Sequence, residues 1–475
     1  MNAPFPSLPR HPLAASVVAC LVVTGVTTPC FATNDNVLNC NDGGPGSLRD
    51  TVANAGNGDS VILNPTNMHC SKITLTGGEI PVTQDSLTVK YNADNGNQFS
   101  ISGNYSFYNP HARVFRHSGG GKLTLQRLDM SDGGFGTNGD TASVLGGCVD
   151  SAGVVDLEYS TVSNCYLSAR LGLTFFVRGA GVYAAKGLVL NHSRISYNQA
   201  SNFYSAQNNM QQPGAAIEGV GAFANNYVRA NYSTVSGNYA YSVADNSAGG
   251  GLFVNNANAA NSSLIQQCTI SGNSALRGGG ILAENFGGAF TLENSTLSGN
   301  TSHAQDLAGQ AYARGTAIFS FGALTIRNST IAFNSTDAAG SPALFLAKPS
   351  YAAGFVSTII ANNTTGGANY GVSSKSPMTI SGAYNLIQAS SPSITFSFAP
   401  KTADPLLQPL ADNGGPTLTH AFRRGSPVFG SGVRIDDPPT DQRGAGFPRQ
   451  AANGDVDIGA YQEQIRDRIF VDGFE

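Results

Sequence analysis

Ser295-Thr296-Leu297-Ser298-Gly299-Asn300 is one copy of a short pattern that recurs along the middle of the chain. The copies begin at Ser160, Ser193, Ser233, Cys268, Ser295, Ser329 and Ser357. Their spacing varies between 27 and 40 residues, which is too irregular for helical repeats but natural for coils with short strands and variable loops. The pattern therefore predicts one structural unit stacked many times, a solenoid.

Two further elements accompany each copy. Small residues precede an apolar residue, as in Gly250-Gly251-Leu252, and allow a tight corner before a strand. An alternating run such as Leu324-Thr325-Ile326 lies between this corner and the next copy, and its period of two predicts another strand. Three strands per coil predict an all-β fold, a three-sided parallel β-helix.

Stacked coils place each residue about 4.8 Å from its counterpart in the next turn, so like stacks on like. The Ser that starts each pattern is predicted to face inward, with Cys268 replacing it in one coil. The closing Asn residues are predicted to form a hydrogen-bonded ladder that satisfies buried turn amides. The predicted ladder consists of Asn198, Asn238, Asn273, Asn300, Asn334 and Asn362.

The composition agrees with a narrow β-rod. The 475 residues include 57 Gly and no Trp, and only 12% are charged against a usual figure of about 25%. The formal net charge is −4, with 26 basic and 30 acidic side chains. This balance argues against nucleic acid as a partner, because such binding needs a basic patch.

Residues 1–32 have the features of a secretory signal. Arg10 precedes an apolar stretch from Leu13 to Val26, and Cys30-Phe31-Ala32 offers a cleavage site. No other stretch reaches the roughly 18 apolar residues of a membrane span, so we expect no transmembrane segment in the mature chain. The sequence predicts an exported protein, extracellular or at the cell surface.

Five cysteines remain after the signal, and export makes disulfides permissible. We expect Cys40 to pair with Cys70 across an N-terminal cap, and Cys148 with Cys165 across one coil. Cys268 would then remain as a buried thiol.

Both ends of a solenoid need caps. Ser47 and Asp50 predict a short capping helix within residues 33–72, which form the cap and first strands. Coils occupy residues 73–390. A shift to Pro, Asp and Arg marks a separate C-terminal module at 391–464, and residues 465–475 form a terminal tag.

Several motifs carry a family resemblance. They are Asp42-Gly43-Gly44-Pro45-Gly46-Ser47-Leu48-Arg49-Asp50, Asp412-Asn413-Gly414-Gly415-Pro416-Thr417, Asp441-Gln442-Arg443-Gly444 and Asp457-Ile458-Gly459-Ala460-Tyr461. With the Gly-rich coils, the first resembles exported bacterial β-helix proteins with polymorphic outer-membrane protein repeats. The others resemble the choice-of-anchor Q module. The last residues resemble a terminal tag of some proteins secreted by Gram-negative bacteria. The resemblance implies a right-handed β-helix and, weakly, an adhesin-like role.

One column after the small-residue corners carries the residues with most chemical interest. Asp150, Tyr183, Glu218, Phe253, Phe319 and Phe345 are predicted to occupy equivalent positions there. Asp150 and Glu218 would lie two coils, about 9.6 Å, apart, near the upper limit for the carboxylates of an inverting glycosidase. These two acids are the candidate catalytic residues.

The aromatic members of the column, Tyr183, Phe253, Phe319 and Phe345, are candidate ligand contacts. Two alternatives stay open for them: an exposed ligand surface, or burial beneath the long insertions at 199–213 and 301–313.

The sequence predicts no metal site and no cofactor, since the His residues lack a zinc spacing and no acidic cluster is dense enough for calcium. Two functions follow. The first is a non-catalytic surface or extracellular β-helix for adhesion or contact with glycans or other cell-surface components. The alternative is an extracellular polysaccharide hydrolase or lyase.

Overall fold

The computed structural model describes residues 32–464, apart from 94–95, 107–110, 138–142, 171–175, 204–215, 243–246, 257, 259, 304–313, 338–339, 367 and 435–438. Within them the chain is a right-handed parallel β-helix with three long sheets, as predicted. Each coil passes through the third sheet, then the first, then the second. Nearly all of the predicted signal sequence, and all of the predicted terminal tag, lie outside the described residues.

The three long sheets run the length of the solenoid. The first contains Asn34–Val37, Ser60–Leu63, Leu87–Tyr91, Lys122–Gln126, Val154–Glu158, Gly187–Asn191, Val228–Asn231, Ser263–Gln266, Phe290–Glu293, Leu324–Arg327, Ala353–Val356, Met378–Ser381 and Ile394–Phe396. The second contains Lys72–Thr74, Phe99–Ser102, Leu128–Ser131, Thr161–Ser163, Arg194–Ser196, Thr234–Ser236, Thr269–Ser271, Thr296–Ser298, Thr330–Ala332, Ile359–Ala361 and Leu386–Ile387. The third contains Ile80–Val82, Phe115–His117, Val149–Ser151, Val182–Ala184, Ala222–Asn225, Leu252–Asn255, Ile281–Glu284, Ile318–Ser320, Leu344–Leu346 and Val372–Ser374.

Some coils hold more than three strands, which the repeat pattern did not predict. Their insertions between the second and third sheets pair with one another and form short lateral sheets. One contains Gly134–Thr137, Tyr166–Arg170, Gln199–Phe203 and Tyr239–Ser242. Another contains Ser143–Leu145, Phe176–Arg178, Ala216–Glu218 and Ser247–Ala248. The last contains Thr301–Ser302, Ser335–Thr336, Thr364–Thr365 and Ala368–Asn369, and its final pair is antiparallel.

The N-terminal end is closed by the predicted capping helix, Leu48–Asn54. The Ser47 hydroxyl accepts a hydrogen bond from the Asp50 amide, so Ser47 is the N-cap. Leu48 and Val52 are fully buried against the first coils. A second short helix, Pro65–Met68, follows, and Cys40 is bonded to Cys70 across this region as predicted. The other predicted disulfide, between Cys148 and Cys165, is also present.

The corner after each second-sheet strand explains the Gly-Asn part of the repeat. Its first residue has a left-handed backbone, with φ of 66° at Gly237, 64° at Gly272 and 64° at Gly299. Glycine adopts this conformation without a steric penalty, whereas Tyr197 and Phe333 hold it at φ of 56° and 58°.

The next residue of this corner forms the asparagine ladder. The Asn238 amide and side-chain nitrogens both donate to Asn273 Oδ1, at 3.1 and 2.8 Å. Asn238 Nδ2 also donates to the Ile195 carbonyl at 3.2 Å. The same bonds connect Asn198, Asn238, Asn273, Asn300, Asn334 and Asn363. Each buried side chain thus satisfies the turn of the neighbouring coil.

The last rung is Asn363, so the prediction of Asn362 is wrong. Thr330 pairs with Ile359 rather than with Thr358, which shifts the final copy of the repeat by one residue. Asn362 therefore takes the left-handed position of the corner, with φ of 56°.

The change Asn363→Ala is expected to lower the free energy of unfolding by roughly 1 to 3 kcal/mol, because buried donors on Asn334 lose their acceptor. The matched change Asn362→Gly should alter it by less than about 1 kcal/mol, since glycine suits a positive φ. Urea denaturation followed by circular dichroism measures both. Equal losses in the two variants would contradict the ladder register.

The inward Ser column also exists, and Cys268 belongs to it. The Ser233 amide donates to Cys268 Sγ at 3.4 Å, and the Cys268 amide donates to Ser295 Oγ at 3.1 Å. Complete burial raises the pKa of the Cys268 thiol to about 12. The thiolate, which is the reactive form, is therefore nearly absent at neutral pH.

In the mature protein, Cys268 is expected to resist a thiol-specific reagent at pH 8 while the chain is folded and to react after denaturation. The change Cys268→Ser provides the control, because it should remove the signal seen in denaturant. Rapid labelling of the folded protein, absent from that variant, would show that the thiol is accessible.

The C-terminal segment, predicted to be a separate module, packs along the coils. We call residues 404–464 the C-terminal strap. It covers the outward Thr column of the second sheet, where Thr269, Thr296 and Thr330 are at most 1% exposed. In earlier coils the same column is open, since Arg194 is exposed and Thr234 is half-buried.

Polar side chains of the strap match this Thr column. Thr296 Oγ1 donates to Gln442 Oε1 at 2.6 Å, and Gln442 Nε2 donates to Thr269 Oγ1 at 2.9 Å. Arg443 forms a buried ion pair with Asp441 at 2.7 Å, which fixes the turn that presents Gln442. The Asp-Gln-Arg motif that carries the family resemblance is therefore the docking device of the strap.

The change Gln442→Ala is expected to destabilise the protein by roughly 1 to 3 kcal/mol, because the buried Thr296 hydroxyl loses its acceptor. Gln450→Ala is the control, since the hydrogen bonds of Gln450 to Gly454 and Arg434 are exposed and lie within the strap, so the change should have little effect. Limited proteolysis and thermal melting measure strap release and stability. A Gln442→Ala protein as resistant as the wild type would contradict the docking role.

Candidate functional site

The two acids predicted to form a catalytic pair do not share a column. Asp150 pairs in register with Tyr183, and Tyr183 pairs with Phe223. Glu218 lies opposite Arg178 in a lateral sheet. The prediction was wrong because the true corner of this coil is Gly219-Val220-Gly221, rather than the small residues at 215–216.

The column itself is a buried aromatic stack. Phe253, Phe319 and Phe345 are only 3%, 5% and 6% exposed, and Tyr183 is half-buried against them. They form a cluster separate from the central core, with Phe223 in the position predicted for Glu218.

Two arginines cover this column, Arg178 of a lateral strand and Arg314. The Arg178 guanidinium lies 4.6 Å from the Phe223 ring centroid, and that of Arg314 lies 4.8 Å from Phe345. The three phenylalanines are buried and are not accessible as ligand contacts, whereas Tyr183 remains half-buried. Most of the insertions at 199–213 and 301–313, predicted as the covering segments, lies outside the described residues.

Glu218 is held by an ion pair. Arg178 Nε lies 2.6 Å from Glu218 Oε2, and both side chains are largely buried. Burial raises the pKa of Glu218, while the positive charge and hydrogen bond of Arg178 oppose this shift. This arrangement stabilises the lateral sheet and explains the position of Glu218 without a ligand.

Asp150 lies in a different environment, a cavity of about 470 Å³. We call it the Asp150 cavity; its lining includes Glu79, His111, Arg113, Arg116, Phe135 and Asp150. The Asp150 side chain is 15% exposed, and its cationic neighbours lie at 3.8 Å (Arg113 Nη2) and 3.9 Å (Arg116 Nε). Burial raises the pKa of Asp150, and the two guanidinium groups oppose that shift.

A second and larger cavity of about 550 Å³ lies on the outer face of the first sheet. We call it the first-sheet groove; it crosses Val154–Glu158, Gly187–Asn191, Val228–Asn231 and Ser263–Gln266. Its lining combines apolar residues, including Val189 and Leu264, with polar ones, including Glu158, Asn191 and Gln266. Apolar surface with a few polar groups is typical of ligand sites.

Two buried acceptors in this groove have no hydrogen-bond partner. Asp156 is 5% exposed, and its Oδ2 receives a hydrogen bond from Lys122 Nζ at 2.8 Å. Asp156 Oδ1 is buried and unpaired, and so is Asn231 Oδ1. Buried polar atoms are nearly always paired, because leaving one unpaired costs about 1 to 3 kcal/mol.

A row of rings borders the groove at the corner between the first and second sheets. Tyr159 stacks on His192 with centroids 4.7 Å apart, and His192 lies 4.9 Å from Tyr232. His192 Nδ1 lies 2.9 Å from Asn191 Oδ1, which connects the row to the groove. Since the rings stack on one another, they leave mainly edges and polar tips at the surface.

The sequence analysis missed this site, although a signal was present. Each copy of the repeat in this region follows a polar residue and a ring: Glu158-Tyr159, Asn191-His192 and Asn231-Tyr232. In the structure the first member of each pair lines the groove and the second forms its border. The preceding acid, Asp156, is recognisable only through its burial.

The described part of the chain contains no group of three or more His, Cys, Asp or Glu side chains that could hold a metal ion. None of its helices has the length and apolar character needed to cross a membrane.

Comparison with known proteins adds a structural likeness. No protein-family model and no curated protein matches the chain. The fold is similar to the crystal structure of pectate lyase Pel9A, with 12% identity and a TM-score of 0.46, over 91% of this chain and 98% of that chain. So distant a likeness carries no inference about activity.

Proposed function

We propose that this protein is an exported β-helix that binds an extended, hydroxyl-rich glycan chain along the first-sheet groove. The observation that carries the proposal is the pair of unpaired buried acceptors, Asp156 Oδ1 and Asn231 Oδ1, in one groove. Both atoms have almost no accessible surface, so they would meet a bound chain only as their side chains turn outward. Sugar hydroxyls are then donors that a neutral chain supplies repeatedly.

The groove geometry favours a linear chain over a compact ligand. It crosses four coils stacked at about 4.8 Å, a repeat close to the length of one sugar unit in an extended glycan. Val189 and Leu264 offer apolar surface for the carbon–hydrogen faces of the rings. Glu158, Asn191 and Gln266 offer polar partners for hydroxyls.

Charge and topology argue against other polymers. The groove lining contains two acids, Asp156 and Glu158, and one cation, Arg229, and the adjacent Lys122 is paired with Asp156, so the groove has no excess positive charge for nucleic acid. Peptide binding by strand addition needs a free sheet edge, whereas the four strands beneath the groove are each paired on both sides.

Two observations support the proposed export: the N-terminal signal pattern, and two disulfides, which suit an oxidising compartment. Adhesion, the other part of the sequence-based expectation, has no support among the described residues. The proposal is therefore limited to glycan contact.

The test is binding of the mature protein to a panel of neutral polysaccharides, measured by affinity electrophoresis and calorimetry. Leu264→Trp fills the groove and should abolish binding. Thr325→Trp is the matched control, because Thr325 lies in the same outward column two coils further along and outside the groove lining.

A second variant separates binding from folding. Asn231→Leu removes an unpaired acceptor, so stability should be unchanged or higher while glycan affinity falls at least about tenfold, or 1.4 kcal/mol. Absence of binding across the panel, or binding that survives Leu264→Trp, would contradict the proposal.

A further inference from the structure

The Asp150 cavity shares no lining residue with the first-sheet groove, and it holds a pair of carboxyl groups that the sequence did not reveal. Glu79 directly precedes the third-sheet strand Ile80–Val82, and Asp150 lies on Val149–Ser151. The strand between them carries Arg116, which pairs in register with Asp150 on one side.

The contacts of Arg116 set an upper limit on the distance between the carboxyl groups of Glu79 and Asp150. Its Nη1 lies 3.3 Å from Glu79 Oε1, and its Nε lies 3.9 Å from Asp150 Oδ2. Because one guanidinium reaches both acids, these oxygens are no more than about 9.5 Å apart, so their separation does not exceed the range for acid–base pairs in glycosidases.

Arg113 positions Glu79 from beneath. Its side chain is 6% exposed, donates to the Leu145 and Gly146 carbonyls, and lies 3.7 Å from the Phe135 ring centroid. From this fixed position Arg113 Nη1 holds Glu79 Oε2 at 2.9 Å. Glu79 is thus paired through both oxygens with arginine side chains.

Asp150, the second carboxyl group of the cavity, has different surroundings from Glu79. Both of its cationic neighbours are beyond hydrogen-bond distance, and burial raises its pKa, which favours the proton-carrying form. The cavity therefore holds one carboxyl group bonded to arginine and one without a hydrogen-bonded cation, and two carboxyl groups in such different surroundings can take the separate tasks of acid–base hydrolysis.

We propose that the Asp150 cavity hydrolyses a glycosidic bond, with Asp150 as the acid and Glu79 as the base. A water oxygen bonds to the anomeric carbon while the bond from that carbon to the leaving oxygen breaks. Asp150 gives its proton to the leaving oxygen, and Glu79 accepts a proton from the water. Glu79 then releases that proton to solvent, and Asp150 takes up a proton from solvent. Overall, one glycoside and one water give two sugars.

The choice of a glycoside as substrate rests on the glycan binding proposed above, whereas the acid–base pair rests on the cavity. The first assay measures release of reducing sugar from polysaccharides and of nitrophenol from a panel of aryl glycosides. We expect Asp150→Asn and Glu79→Gln each to lose at least about 100-fold in rate, the lower range for removal of a general acid or base.

Leaving-group dependence distinguishes a catalytic acid from a structural one. Asp150→Asn should retain much of its activity on dinitrophenyl glycosides, whose leaving group needs no proton, while losing activity on polysaccharide. A misfolded variant would lose both, and thermal melting provides an independent check on folding.

Two readouts separate the two proposals: polysaccharide binding reports on the groove, and hydrolysis of small aryl glycosides, which enter the cavity alone, reports on the cavity. Thr325→Trp, which lies outside both linings, should leave both readouts unchanged. Hydrolysis without groove binding would overturn only the glycan-binding proposal. No hydrolysis of any substrate by the wild type, or wild-type rates in both acid variants, would overturn the catalytic one.

Discussion

The parallel register between successive coils is the constraint on which the rest of the structure depends. Each residue pairs with one counterpart in the coil above and one in the coil below, so a side chain is stabilised by a neighbour of its own kind. The asparagine ladder shows this most directly, because each rung satisfies the turn of the next coil. A shift of one residue, as at Asn362, changes a ladder rung into a left-handed corner residue.

The same register builds surfaces as well as the core. The side chains of an outward-facing column are covered and paired only where a second layer of the protein, or a ligand, packs on them. The Thr column is covered by Gln442 of the C-terminal strap, and the phenylalanine column by Arg178 and Arg314. The first-sheet groove differs, since its acceptors on Asp156 and Asn231 remain unpaired. This contrast within one molecule is why the groove, and not the aromatic column, is the candidate binding surface.

Similar side chains have different tasks in different surroundings. Glu218 and Asp150 are both largely buried acids beside arginine, yet Glu218 is bound at 2.6 Å while the nearest cation to Asp150 is at 3.8 Å. A tight pair is a structural element, whereas a loosely paired carboxyl in a cavity is available to a ligand. Distance and access, rather than residue type, separate the two roles.

Local sequence patterns were enough to predict the coil, its three long sheets, the capping helix, both disulfides and five of the six ladder positions. The coil, the sheets and the ladder follow from periodicity, because stacked coils repeat their own sequence pattern, whereas the helix followed from its capping residues and the disulfides from the positions of the cysteines. The register of irregular coils, the burial of Phe253, Phe319 and Phe345, the docking of the strap, and the meeting of Glu79 with Asp150 became evident only from the folded chain. Those depend on how insertions of unequal length fold back over the coils, and no repeating pattern in the sequence encodes such contacts.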